Sequence, residues 1–282
     1  MKKGLVLEGG GLRGLFSAGI TDVLMEAGIT FDGVVGVSSG ACFGCNYKSR
    51  QPGRVLRYNL RYAHNLRYCS LWSLLTTGGI FGPRFAYYDL PLQLDRFDIP
   101  TFNRHPMEFH LVATDVDTGE AVYRRFDHYT DDMLQWILAS SSMPIVSRIV
   151  TINGQHLLDG GIADSIPLRY FQEQGFDRNL VILTQPANYW KQPLRHRRII
   201  RYLLRRYPVL IDAWERRHEM YNAQLHYIAE QQATGNTLVL CPEQTIPVGR
   251  ISHSRRHMRE AYQLGRDLAT AQLSHIQTFL NH

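Results

Sequence analysis

Ser38 is the first residue whose surroundings suggest chemistry. It is at the centre of the stretch GVSSG, in which Gly36 and Gly40 leave room for a tight turn from a strand into a helix. Such a turn exposes the serine hydroxyl at the end of the strand, and the start of the helix stabilises negative charge beside it. The pattern predicts a serine nucleophile.

A serine hydroxyl needs a base, and Asp159 in LLDGG is the candidate. It follows two leucines at a predicted strand end, and Gly160 and Gly161 let backbone approach it closely. An apolar setting raises the pKa of a carboxyl above its usual ~3.9 and makes it a better proton acceptor. The alternative is a serine–aspartate–histidine triad with the histidine after the acid. The histidines that qualify by order, none in a distinctive strand-end loop, are His196, His218, His226, His253, His257, His275 and His282.

The glycine cluster GGGLRG, residues 9–14, could bind an anion through its backbone N–H groups. A dinucleotide site needs an acidic residue about 20 positions on, at the end of the second strand. Here that strand ends at Ser38, and Asp32 precedes it. A phosphate loop needs Gly-Lys-Ser/Thr, and this cluster has no lysine. The N–H groups of Gly10 and Gly11 could instead lie close to Ser38 and stabilise an oxyanion.

These residues need an α/β scaffold to meet. An apolar run at 4–7 precedes the glycine loop, helical spacing covers 14–27, a second apolar run covers 34–37, and another helix follows. Hairpins are predicted at 108–126 and around Asn153-Gly154, and further strands at NLVILT and TLVLCP. This alternation favours a largely parallel sheet flanked by helices.

The motifs GGGLRG, GVSSG and DGG, in that order, resemble the three signatures of the patatin-like phospholipase family. ATDVDTGE and ASSSMP also resemble segments of its bacterial members. The resemblance covers roughly residues 3–183. It implies a three-layer patatin-like fold and a serine acyl-ester hydrolase acting on lipids, with no metal or organic cofactor.

The same resemblance assigns roles to residues. Ser38 is the nucleophile that forms an acyl-serine intermediate, and Asp159 is the proton acceptor. The implied oxyanion hole comprises Gly9, Gly10, Gly11, Arg13 and Gly14. Family members often carry an asparagine shortly after Asp-Gly-Gly, and this chain has Asp164 and Ser165 instead. The sequence leaves open the head group, the acyl length and the choice between phospholipase, lipase and thioesterase.

The net charge of +6 is concentrated in one segment. Residues 191–218 contain nine Lys and Arg residues against two acidic ones, so the rest of the chain nets −1. Composition shifts near Pro186, which predicts a catalytic domain over 1–190 and a basic, mostly helical C-terminal extension over 191–282. One amphipathic helix there could contact an anionic membrane or simply dock on the core. Its membrane-facing candidates are Arg197, Arg198, Arg201 and Arg205.

Other classes find less support. The apolar run at the N-terminus is too short for a signal peptide, and no stretch approaches the ~20 apolar residues of a membrane span, so we expect a cytoplasmic protein. Cys42 and Cys45 lack a second C-x-x-C pair, and no metal site or nucleic-acid partner is expected. The alternatives kept open are a nucleotide-binding oxidoreductase that uses the Gly9–Gly14 loop and a catalytically silent lipid-binding protein.

Overall fold

A computed structural model describes residues 1–281, which form a sheet of eight strands between layers of helices. The sheet order is β5-β6-β3-β2-β1-β7-β8, with β4 paired to β3. The strands are β1 (Lys3–Leu7), β2 (Gly33–Val37), β3 (Glu108–Asp115), β4 (Ala121–Phe126), β5 (Val150–Ile152), β6 (Gln155–Asp159), β7 (Arg178–Ile182) and β8 (Thr237–Leu240). Strands β3, β2, β1, β7 and β8 are mutually parallel, and β4, β5 and β6 are antiparallel to their neighbours.

The helices cover both faces of this sheet. They are α1 (Gly14–Glu26), α2 (Ser39–Lys48), α3 (Arg54–Tyr62), α4 (Leu71–Thr77), α5 (Ile99–Arg104), α6 (Met133–Ser140), α7 (Leu168–Glu173), α8 (Arg197–Leu203), α9 (Pro208–Ala233), α10 (Arg255–Ala271) and α11 (Leu273–Asn281). A π-helix spans Phe85–Leu94, and short 3₁₀ turns span Gly11–Arg13 and Gly160–Ile162. No helix within residues 1–281 is long and apolar enough to cross a bilayer.

The central strands are apolar along their whole length because both of their faces are buried. In β1, Leu5 and Leu7 pack into the core that contains α1, α2 and α10, while Val6 points to the core formed with α7 and α9. Side chains alternate across a strand, so an uninterrupted apolar run fits a strand covered on both sides. The predicted α/β class, with a mostly parallel sheet flanked by helices, is confirmed.

The segment after residue 190 contributes to the same sheet. It supplies β8, which pairs with β7, as well as the predicted helices. Helix α10 packs closely along α1, where Gly19 faces the Tyr262 carbonyl and Gly265 faces the Phe16 carbonyl. The domain boundary near residue 190 stays a prediction, and the sheet runs across it.

Candidate active site

Ser38 lies on a strained turn between β2 and α2. Its φ of 55° and ψ of −121° lie in a region that residues with side chains rarely adopt. The two flanking glycines permit the turn: a Cβ atom on Gly36 would overlap the Gly40 backbone, and one on Gly40 would overlap the Leu7 carbonyl oxygen. Side chains larger than hydrogen therefore cannot be placed at either position without moving the strand or the helix.

Strand β3 brings Ser38 and Asp159 together. One edge of β3 is taken by β4, so β2 and β6 must share the other edge. Along that edge β2 ends with Val37 opposite Val112, and β6 ends with Asp159 opposite Ala113, the next residue of β3. The ends of β2 and β6 therefore meet, and Ser38 and Asp159 become neighbours despite their distance in the sequence.

The Asp159 carboxylate is buried, with 2% of the residue exposed. It accepts a hydrogen bond from the Gly161 N–H at 2.8 Å, and the Ser38 side chain lies close enough to lower its pKa. Burial raises the pKa of Asp159, and the nearby Arg217 guanidinium is the largest opposing influence. Gly160 allows close packing, because a Cβ atom there would overlap the Val112 carbonyl. A carboxylate of raised pKa beside a hydroxyl can accept its proton.

Three consecutive serines at the end of α6 hold this pair in place. The Ser38 N–H donates to the Ser140 hydroxyl at 3.0 Å, and the Asp159 N–H donates to the Ser142 carbonyl at 2.8 Å. Ser141 Oγ lies 3.0 Å from Cys42 Sγ. In the sequence, the only signal for these serines is the stretch ASSSMP, which indicates no role for them.

The glycine loop lies directly against the serine. A Cβ atom on Gly9 would lie 2.9 Å from Ser38 Cβ. Gly11 adopts a positive φ of 59°, and the Leu12 N–H donates to the Arg250 carbonyl at 3.1 Å. Within residues 1–281, the N–H groups of Gly10 and Gly11 find no acceptor, so both remain able to bind an anion.

The last two loop residues connect the loop to its surroundings. Arg13 Nη2 lies 3.3 Å from the Cβ position of Gly10, and the Arg13 N–H donates to the Gly10 carbonyl. Gly14 begins α1 and packs against Ser39 and Phe43 of α2. All of residues 9–14 except Gly14 line the same cavity as Ser38 and Asp159.

This cavity has a volume of about 490 Å³. Ser38 and Asp159 open into it, and much of its wall is apolar. Apolar and aromatic members of that wall include Phe43, Tyr58, Ile80, Leu90, Phe97 and Ile137. Such a wall suits an acyl chain.

The alternatives from the sequence find no matching group at this site. Within residues 1–281, no histidine lines the cavity, so a triad lacks its third member there. Asp32 accepts from the Lys3 N–H at the opposite end of β2, away from the glycine loop. The described residues also contain no group of three His, Cys, Asp or Glu side chains that could hold a metal ion.

Asp164, found where family members often have asparagine, forms a buried polar contact behind Asp159. It accepts hydrogen bonds from the Tyr123 hydroxyl at 2.7 Å and from Gln224 Nε2 at 2.5 Å. Ser165 donates to the Gly161 carbonyl at 2.7 Å. These bonds connect the turn after Asp159 to β4 and α9.

Cys42 is a second nucleophilic side chain in the cavity. Burial raises the pKa of its thiol to about 11. The thiol therefore stays protonated at neutral pH and is a poor nucleophile there.

One end of the cavity is basic. Arg13, Lys191, Arg217 and Arg250 line it together with Trp214. Among these cations the sequence motifs pointed only to Arg13. The other three come from the C-terminal segment, where only the excess of positive charge was visible in the sequence.

Known proteins resemble this chain in two regions. Residues 5–171 match the family model described as patatin-like phospholipase, and residues 207–281 match a domain of unknown function, DUF6363. An uncharacterized protein of Escherichia coli, YjjU, is 33% identical over 71% of this chain and 56% of its own length. Lysophospholipase NTE1 of Yarrowia lipolytica is 29% identical over 66% of this chain and 13% of its own length.

The chain therefore spans about half of YjjU and a small part of NTE1. A crystal structure of VipD from Legionella pneumophila aligns with 96% of this chain and 67% of its own, at 13% identity and a TM-score of 0.43, a likeness too distant to carry an argument. The model of residues 5–171 matches more than half of the chain. The resemblance inferred from the three motifs is thus confirmed, and the chain belongs to the patatin-like phospholipase family.

Proposed function

We propose that this protein hydrolyses acyl esters of lipids, with Ser38 as the nucleophile and Asp159 as its base. The observation that carries the proposal is that the strained Ser38 and the buried Asp159 lie side by side at the ends of β2 and β6 and line one largely apolar cavity. The family's phospholipase description and the relatives called lysophospholipase support a lipid ester as substrate.

The reaction follows from these contacts. Ser38 Oγ attacks the ester carbonyl carbon while its proton passes to the Asp159 carboxylate. The carbonyl oxygen becomes an oxyanion, which the N–H groups of Gly10 and Gly11 stabilise. The tetrahedral intermediate collapses, the alcohol leaves with the proton from Asp159, and an acyl-Ser38 ester remains. Water, deprotonated by Asp159, then attacks that ester, the bond from the acyl carbon to Ser38 Oγ breaks, and Asp159 returns the proton to Ser38 Oγ as the fatty acid leaves.

The test is labelling by a fluorophosphonate together with hydrolysis of p-nitrophenyl esters. Wild type should label on Ser38, and Ser38→Ala and Asp159→Asn should both abolish turnover. Ser39→Ala is the matched control, because its hydroxyl is buried, has no hydrogen-bond partner within residues 1–281 and is next to the nucleophile. It should still label at Ser38.

Two outcomes would favour the alternatives. Absence of both labelling and hydrolysis, with lipid binding retained, would support a catalytically silent lipid-binding protein. A fluorescence change on titration with NAD or NADP would support the oxidoreductase.

Because the Cys42 thiol stays protonated, iodoacetamide should not block the fluorophosphonate reaction.

We also propose peripheral contact with anionic membrane through α8. Its apolar side chains are unusually exposed: Ile199 by 59%, Tyr202 by 67% and Leu203 by 52%. Arg201 makes a bidentate ion pair with Glu215 of α9 at 2.7 and 2.8 Å, and Arg197 lies 3.8 Å from the same carboxylate. The contact would therefore depend most on the other two arginines, Arg198 and Arg205.

Vesicle sedimentation tests this contact. Vesicles with anionic lipid should sediment the wild type, and charge reversal in Arg198→Glu with Arg205→Glu should release it without breaking the pair to Glu215. Equal sedimentation with neutral vesicles would contradict the proposal. The cytoplasmic localisation stays a prediction, which cell fractionation would check.

A further inference from the structure

The basic end of the cavity has an excess of positive charge close to the reacting groups. Within residues 1–281, Arg13, Lys191, Arg217 and Arg250 form no ion pair with any carboxylate. The carboxylates of the cavity are Glu8 and Asp159. At this end four cations against these two carboxylates leave a net charge of +2 when all are ionised, and Arg54, the fifth cation of the lining, is paired with Asp95.

Both carboxylates are already occupied. Glu8 Oε2 accepts from the Thr184 N–H at 2.5 Å and Oε1 accepts from the Tyr221 hydroxyl at 2.8 Å. Asp159 accepts from the Gly161 N–H and lies beside Ser38. They offset part of the charge at a distance, yet neither provides a hydrogen-bonded partner for a guanidinium.

Arg217 lies beside the turn that follows Asp159. It projects from α9, and its Nη2 atom lies 3.0 Å from the Cβ position of Gly161, the residue that donates to Asp159. Its Nε atom is buried and has no partner within residues 1–281, and the same holds for Arg13 Nε. Buried polar groups are normally hydrogen-bonded, so two orphaned guanidinium nitrogens at one cavity end point to an anionic ligand.

Lys191 is positioned by α9 as well. Its main chain is tied in both directions to the Asn222 side chain, at 2.9 and 3.1 Å, and its Nζ atom lies 4.2 Å from the Tyr221 ring centroid. Burial and the neighbouring arginines lower the pKa of Lys191 to about 7, and a bound anion would raise it. The charged and titratable groups that face it are Glu8, Arg13, Tyr189, Arg217, Tyr221 and Arg250.

We propose that Lys191, Arg217 and Arg250 bind the phosphate of a phospholipid whose acyl ester lies at Ser38. This inference rests on the proposed function and identifies residues that select the substrate. Guanidinium groups match phosphate oxygens in pairs, and the glycerol phosphate of such a lipid is only a few bonds from its ester. The apolar wall of the same cavity then receives the acyl chain.

All three residues lie outside the region that matches the patatin-like model, residues 5–171. Arg217 and Arg250 belong to the region of unknown function, residues 207–281. That region thus takes part in substrate selection through Arg217 and Arg250.

The test compares two lipids that share an acyl ester and differ in the phosphate: palmitoyl lysophosphatidic acid and monopalmitoylglycerol. The ratio of their kcat/KM values should fall roughly 10- to 100-fold in R217Q and in R250Q, the loss typical of a charged hydrogen bond. R216Q removes the same charge from an exposed position of the same helix and should keep the ratio of the wild type. An unchanged ratio in both R217Q and R250Q would overturn the inference. R250Q covers the case in which R217Q fails to fold, because Arg250 is exposed.

A binding experiment distinguishes a site for the lipid head group from a site for free phosphate. In Ser38→Ala protein, glycerol 3-phosphate should raise Tm, and R217Q should cancel the shift while R216Q keeps it. The affinity should weaken as the pH rises above about 7, and K191Q should remove this dependence. If inorganic phosphate binds through these residues but the lipid ratio does not respond to R217Q, the site serves free phosphate and the head-group inference is wrong.

Failure of the proposed function has a different signature. Wild type would then neither label with fluorophosphonate nor cleave either lipid. The same comparison is then made with the dissociation constants of the two lipids. A preference for the phosphorylated lipid that R217Q removes would support the phosphate site alone, and equal constants would overturn it.

Discussion

The hydrogen bond from the Ser38 N–H to the Ser140 hydroxyl fixes the strained turn from outside its own strand and helix. In Ser140→Ala this part-buried N–H loses its acceptor. An unsatisfied buried donor costs about 1–3 kcal/mol. That free energy lowers the stability of the fold unless Ser38 relieves it by leaving its φ of 55°. If the Ser38 backbone moves and recovers all of that free energy, the same amount is needed to restore the reactive turn. The reaction rate then falls by about 5- to 160-fold.

The assay follows the rate of fluorophosphonate labelling, kcat for a p-nitrophenyl ester and Tm. Ser142→Ala is the control from the same segment, because its hydroxyl donates to the Leu138 carbonyl while its contact with Asp159 uses the main-chain oxygen. Both variants should lose some stability, and only Ser140→Ala should label slowly. Wild-type labelling in Ser140→Ala, or equal losses in the two variants, would refute the reasoning.

Three further outcomes follow from the structure. Burial raises the pKa of Asp159, so kcat/KM should increase with pH as this carboxyl ionises, with a midpoint above the usual ~4. Arg217→Gln should move the midpoint to higher pH, because the Arg217 charge lowers the pKa of Asp159. A midpoint at or below ~4 in the wild type would contradict this. Gly40→Ala should abolish labelling because its Cβ atom would meet a backbone carbonyl, whereas Gly44→Ala meets only a side chain and should label. Burial raises the pKa of Asp22 from 3.8 to about 6, so the folded protein favours the protonated carboxyl. The free energy of unfolding should therefore fall, by ~3 kcal/mol at most, as the pH rises from 3.8 to about 6. Asp22→Asn should lose this fall in urea titrations, and an identical pH dependence in both proteins would count against it.

The local part of this site was predictable from the sequence. The apolar runs before GGGLRG and GVSSG indicated strands, and the small residues after them indicated turns, because both signals depend on neighbours in the chain. The meeting of Ser38 with Asp159 came from the family resemblance. It depends on β2 and β6 sharing one edge of β3, which no local pattern specifies.

The residues that the sequence did not reveal act over long separations. Ser140 and Ser142 reach the site because α6 ends beside the elbow, and Arg217 reaches it because α9 crosses the sheet. Arg201, which the sequence predicts as a membrane-facing residue, pairs with Glu215 of α9, and no local pattern in the sequence indicates this pair. Charge counts indicated that this segment was basic, while only packing decides which cations face the cavity.

The bond from the Leu12 N–H to the Arg250 carbonyl has a consequence for biosynthesis. A ribosome makes the chain from its N-terminus, so residues 1–190 are exposed well before Arg250 emerges. A nascent chain can place Ser38 beside Asp159, but its glycine loop has no anchor at Leu12 until Arg250 has left the ribosome. The glycine loop is thus expected to reach its final conformation late in synthesis, after β8, which precedes Arg250, has left the ribosome.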